Sequence, residues 1–141
     1  MYKKTITYED YDGNTRTEDA YFNFNEVELA DIQHSVPGGY AAMLDSIVKN
    51  QDSTGIVNVV KELIEKSYGI KSEDGRRFIK KPEYVEEFME TPAYSSLFME
   101  LISNENAFAE FINKILPTKL LETAKTAKIE NSTVTNLPSK T

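Results

Sequence analysis

Two prolines set the frame of this chain. Pro82 and Pro92 each sit where a helix can open, because a proline at the first helical position loses no hydrogen bond and already has a helical φ. Behind each runs an apolar stripe at helical spacing: Tyr84, Val85, Phe88 and Met89 after the first, and Tyr94, Leu97, Phe98, Leu101 and Ile102 after the second. Glu83, Glu86 and Glu87 place negative charge near the positive end of the first helix, and Thr91 stands at the cap position of the second. Asn104 caps a third segment with Phe108, Phe111, Ile112 and Ile115 on one face, which Pro117 ends or bends. Upstream, Ser72-Glu73-Asp74-Gly75 reads as a turn and Arg76-Arg77-Phe78-Ile79-Lys80 as a short cationic connector.

The same punctuation extends back to Asn25. That residue caps a segment with Val27, Leu29, Ala30 and Ile32, broken at Pro37-Gly38-Gly39. Tyr40, Met43, Leu44, Ile47 and Val48 form the next stripe. A segment opened by Asp52 or Ser53 then carries Ile56, Val60, Leu63 and Ile64 inward, with Val57 and Val59 broadening the face, and stops near Tyr68-Gly69.

The N-terminus has a different period. Tyr2, Lys4, Ile6 and Tyr8 alternate with Lys3, Thr5 and Thr7; Asp12-Gly13-Asn14 marks a turn; and Ala20, Phe22 and Phe24 alternate again. This is a β-hairpin over about residues 2–24, and a lone hairpin is marginal in water, so its aromatic face must pack on the helices or pair with another chain. The expected fold class is α+β: a mostly helical single domain over 1–128, with the hairpin first and helices over about 25–128. Leu120, Leu121 and Ala124 allow a last turn or two, and the polar stretch 129–141 is expected to be a flexible C-terminal tail.

Composition narrows the chemistry. The 141 residues suffice for one core, and the 8 Tyr and 7 Phe argue for a folded body. With no cysteine there is no thiol catalysis, thiolate metal site or disulfide. No apolar run approaches the roughly 20 residues that cross a bilayer, and no apolar stretch follows Met1-Tyr2-Lys3-Lys4, so neither secretion nor membrane insertion is expected. Residues 1–117 hold 12 Lys and Arg against 21 Asp and Glu, net −9, which disfavours binding to a nucleic-acid backbone; residues 118–141 are net +2. The run Arg76, Arg77, Lys80, Lys81 is expected to be solvated and paired with Glu83, Glu86 and Glu87.

No constellation for catalysis stands out. His34, the only histidine, has no nucleophile or orienting partner in a recognisable motif and reads as a surface or packing residue. Gly38-Gly39 reads as a loop. Glu9, Asp10 and Asp12 beside the hairpin turn, Glu73-Asp74 and Glu86-Glu87 read as solvated charges, without the twelve-residue pattern of an EF-hand. Neither cofactor nor metal is expected, and the chain is not expected to be an enzyme. The aromatic and Met-bearing stretch from Tyr84 to Ile102 is apolar on more than one side and is the best candidate for a partner surface. Phe88, Met89, Tyr94, Met99 and Ile102 are assigned to it, with Met99 off the centre of the buried stripe.

Several phrases of the sequence are similar to the tail assembly chaperones of long-tailed phages and of prophages in Gram-positive bacteria. They are Lys66-Ser67-Tyr68-Gly69, Ser72-Glu73-Asp74-Gly75-Arg76-Arg77-Phe78-Ile79-Lys80 and Ala93-Tyr94-Ser95-Ser96-Leu97-Phe98-Met99-Glu100-Leu101. Lys3-Lys4-Thr5-Ile6-Thr7-Tyr8 and Phe111-Ile112-Asn113-Lys114-Ile115-Leu116-Pro117 resemble the same family's ends, so the likeness spans residues 1 to 117. The resemblance implies a host-cytoplasmic protein that binds the tape measure protein and keeps it soluble during tail assembly. It also makes the tail tube protein a second candidate partner, leaves self-association open, and supplies no catalytic residues. Two rival readings remain: a structural tail or connector protein, and an acidic DNA mimic.

Overall fold

A computed structural model of the protein describes residues 1–116. The expected turn at Leu120, Leu121 and Ala124 and the tail at 129–141 lie outside the described residues. Strands β1 (Tyr2–Glu9) and β2 (Thr15–Phe22) form the expected hairpin, paired from Tyr2 opposite Phe22 to Glu9 opposite Thr15. Asp10 organises its turn: Oδ1 accepts from the backbone N–H groups of Asp12 and Asn14, both at 2.9 Å, and Oδ2 accepts from Arg16 Nε at 2.7 Å. The Arg16 guanidinium and these backbone donors hold the Asp10 carboxyl below its ordinary pKa. Of the acid cluster beside the turn, the Asp10 carboxylate is therefore engaged in building it.

The strand period then decides which face is buried. Tyr2, Ile6, Ala20 and Phe22 face the core, while Thr5 donates to Asp19 at 2.6 Å and Thr7 meets Thr17 at 3.0 Å on the exposed side. Lys4 lies on the inner face, where its ammonium reaches Glu100 at 2.9 Å.

Six helices follow among the described residues and hold 55% of them, so the α+β, mostly helical class stands. Helix α1 (Glu26–Gln33) opens with a full capping box: Asn25 Oδ1 accepts from the Glu28 N–H, and the Glu28 carboxylate accepts from the Asn25 N–H. Helix α2 (Tyr40–Lys49) starts after the Pro37-Gly38-Gly39 break, and α3 (Ser53–Ser67) after Asp52, whose carboxylate accepts from the Gly55 N–H. Helices α4 (Pro82–Met89) and α5 (Pro92–Ser103) both carry proline at their openings, and α6 (Glu105–Ile115) is capped by Asn104. Thr91 departs from expectation: its hydroxyl donates to the Phe88 carbonyl at 2.7 Å, closing α4 rather than capping α5. Val27 and Val48, placed on inward stripes by spacing, face solvent instead, because Leu29 and Ile32 on α1 and Tyr40 and Leu44 on α2 take the core side.

The main correction concerns residues 68–79. The expected helix stop and cationic connector form a second hairpin, β3 (Tyr68–Lys71) and β4 (Phe78–Ile79), giving an antiparallel sheet in the order β1-β2-β3-β4. Gly75, at φ +74°, takes the left-handed position of its turn as expected. Gly69 is required for a different reason: a Cβ there would stand 2.9 Å from the Ile79 carbonyl oxygen and 2.6 Å from the Phe78 ring. The cationic run also pairs differently. Lys80 contacts Glu28 at 2.9 Å and Arg76 contacts Asp74 at 3.8 Å, and among the described residues none of the run pairs with Glu83, Glu86 or Glu87.

One core gathers these elements. At its centre the fully buried Phe22 ring is surrounded by Tyr2, Tyr68, Phe88 and Phe111, with centroids 5.5 to 6.3 Å away. The sheet, α4 and α6 thus meet through aromatic rings.

Candidate partner-binding surface

Helix α5 is positioned by three buried residues, Ala93, Leu97 and Leu101, which recur at i and i+4 and fix the side turned to the core. At 100° per residue, Tyr94, Phe98 and Ile102 follow on one flank of that stripe, and Met99 comes after them on the outer side. Burial follows the wheel. Tyr94, Phe98 and Ile102 are half-buried, whereas Met99 is 55% exposed. The flank therefore grades from core to solvent across one strip of aromatic, aliphatic and thioether side chains.

That strip is continuous with the core. Phe88 packs edge-on against Phe22 at 6.1 Å, Tyr94 edge-on against Phe88 at 5.9 Å, and Phe98 lies tilted 6.3 Å from Tyr94. A ring ladder runs from the centre of the protein to its surface. Phe88 itself lies within the core, stacked on Tyr68, so of the five assigned residues it offers no outward face. Met89, at the end of α4, is 36% exposed. Tyr94, Ile102 and Met99 share the α5 strip, and Phe98, read from its spacing as a member of the apolar stripe with Leu97 and Leu101, belongs to it as well. A finer count of the wheel would have placed Phe98 there, since it follows Leu97 by 100°.

A concavity was not legible in the sequence because segments far apart in the chain, 24–35, 65–66 and 80–85, line it. It measures about 490 Å³ and includes Phe24, Glu28, Asp31, Ile32, Glu65, Lys80 and Val85 in its wall. Lys80 Nζ donates to Glu28 and to the Lys66 carbonyl at 2.8 Å, and stands 4.7 Å from the centre of the Phe24 ring. Burial pulls the Lys80 pKa below its ordinary value, against the opposing pull of Glu28. Its cation is thus satisfied within the protein, and it ties α1 to the β4–α4 junction.

His34 is exposed at the C-terminal end of α1. No helix among the described residues is long and apolar enough to cross a membrane. The strip on α5 can hold an apolar partner face, and its neighbours Ser95, Ser96 and Ser103 are exposed and small enough to let one approach. Compared with known proteins, the sequence matches the family model described as phage tail assembly chaperone over residues 1–141, beyond the stretch in which the likeness was legible by eye. No curated protein and no solved structure matches it.

Proposed function

The chain belongs to the phage tail assembly chaperone family, and on that premise we propose that it binds the tape measure protein and keeps it soluble until tail tube subunits assemble around it. The whole-length family match carries this reading. The α5 strip supports it: a long helical client presents apolar stripes, and a half-exposed strip of Tyr94, Phe98, Ile102 and Met99 can cover such a stripe by helix-face packing. The net charge of −7 keeps the complex dispersed by mutual repulsion. The action is transient coverage in the cytoplasm of the bacterial host and needs no catalysis.

Coexpression with the cognate tape measure protein tests the proposal. The expected result is a higher soluble yield of the client and elution of both proteins in one peak. An unchanged soluble fraction, with separate elution even at low salt, overturns it.

A further inference from the structure

Strand β1 is an outer strand of the sheet, and its far edge, open among the described residues, is regular. Its eight residues pair with β2 without a bulge, and it contains no proline. The phase of the ladder can be read from its ends. The Asp10 N–H donates to the Asn14 carbonyl at 2.8 Å, which makes the even positions of β1 the ones bonded to β2. On the far side of β2, the Asn23 N–H donates to the Ser67 carbonyl at 2.8 Å, the same phase. Lys3, Thr5, Thr7 and Glu9 therefore direct their N–H and C=O groups to the open edge, and among the described residues no backbone partner meets them.

The side chains of those four residues make the edge self-complementary. Lys3 and Glu9 stand on the exposed face at opposite ends of the strand, and neither has an ion-pair partner among the described residues. In an antiparallel pairing of two β1 strands about a two-fold axis at Ile6, Lys3 of each copy faces Glu9 of the other and Thr5 faces Thr7. Sliding one strand by two residues sets Lys3 opposite Thr7 or Tyr11, and both ion pairs are lost. A parallel pairing in register sets lysine on lysine and glutamate on glutamate.

We propose that two copies of this chain dimerise edge to edge through β1, in the register centred on Ile6, forming one continuous eight-stranded sheet. The pairing supplies about eight backbone hydrogen bonds and two cross-strand ion pairs. It keeps the polar Thr ladder in solvent and the aromatic face on the helices. This surface is distinct from the α5 strip, so the dimer stands or falls independently of the client.

The experiment is light scattering of the full chain after gel filtration over a concentration series, with three variants. Thr7→Pro removes an outward N–H while sparing the ladder to β2, Glu9→Lys sets lysine against Lys3, and Lys3→Glu combined with Glu9→Lys restores opposite charges in reverse. The wild type is expected to dimerise, and Thr7→Pro to be monomeric with an unchanged circular dichroism spectrum. Glu9→Lys should weaken the dimer about tenfold, and the double variant should recover it. Amides of Lys3, Thr5, Thr7 and Glu9 should exchange more slowly as concentration rises. A wild type that stays monomeric, or a dimer that survives Thr7→Pro, overturns the proposal. So does protection of those amides in a monomer, which would mean that another segment of the chain covers the edge. Should Thr7→Pro fail to fold, equal dimerisation of the single and double charge variants overturns it as well.

Discussion

The rings of Tyr68 and Phe88 lie face to face, with centroids 4.3 Å apart and planes 9° from parallel. Tyr68 opens β3 and Phe88 sits in the last turn of α4, so this stack fastens the second hairpin to the helix that follows it. It also explains why Phe88 is unavailable to a partner: one face is against Tyr68, and its surroundings include Phe22 and Tyr94.

Phe88→Ala is expected to cost about 3–5 kcal/mol, the usual loss for a buried phenylalanine. In a double-mutant cycle with Tyr68→Ala, the two losses should fall short of additivity by about 1 kcal/mol. Denaturant unfolding of the four proteins gives the values, and simple additivity would show that the stack contributes no more than burial does.

On α5 the buried stripe and the exposed strip should separate cleanly. Leu97→Ala, at a site 1% exposed, is expected to lose about 2–5 kcal/mol. Met99→Asp should melt within about 0.5 kcal/mol of wild type yet elute apart from the tape measure protein, because a charge in an apolar contact is desolvated without a counter-ion. A Met99→Asp protein that still co-elutes at wild-type yield would move the client's contact away from α5.

Glu28 serves two masters, the Asn25 cap and the half-buried Lys80 ammonium. Its removal in Glu28→Ala takes the side-chain acceptor from the Asn25 N–H and the counter-ion from the half-buried Lys80, with an expected cost of about 2 kcal/mol. Lys80→Met removes the charge together with its need for a partner and should cost about half as much. Thermal melting of the two variants distinguishes them, and a larger loss in Lys80→Met would assign the stability to the ion pair itself.

Alkaline pH should unfold the protein through its tyrosines. Burial, reinforced by the Glu62 carboxylate 3.1 Å away, raises the Tyr40 hydroxyl far above its ordinary pKa, and burial raises Tyr2, Tyr68 and Tyr94 as well. A raised folded pKa means that the native state keeps its proton where the unfolded chain gives it up. This contribution is complete below pH ~10 and is lost as pH climbs beyond it. Phenolate absorbance and circular dichroism followed together should show the last tyrosines ionising only as the fold is lost, and Tyr40→Phe should flatten the decline. Ionisation of every tyrosine near pH 10 with the fold intact would contradict this.

Much of the architecture was written locally. The alternation from Tyr2 to Tyr8 and from Ala20 to Phe24, the cap at Asn25, the prolines opening α4 and α5 and the cap at Asn104 are each read within a few residues, because period and capping depend on neighbours alone. The helical wheel likewise set Met99 outside and Leu97 inside.

The contacts that only the tertiary structure decided are those between distant segments. A two-residue strand such as Phe78–Ile79 has no period to detect, and it becomes a strand only because Ile70 and Lys71 lie opposite it. Glu28 and Lys80 carry no mutual signal in the sequence, and their pairing depends on Lys80, just after β4, lying over the Phe24 ring just before α1. Val27 and Phe88 show the same limit from both sides: each lies on an apolar stretch, yet one faces water and the other a tyrosine ring. Local spacing fixes the side of its own element on which a residue stands. What covers that side is fixed by packing, which balances burial over all elements at once.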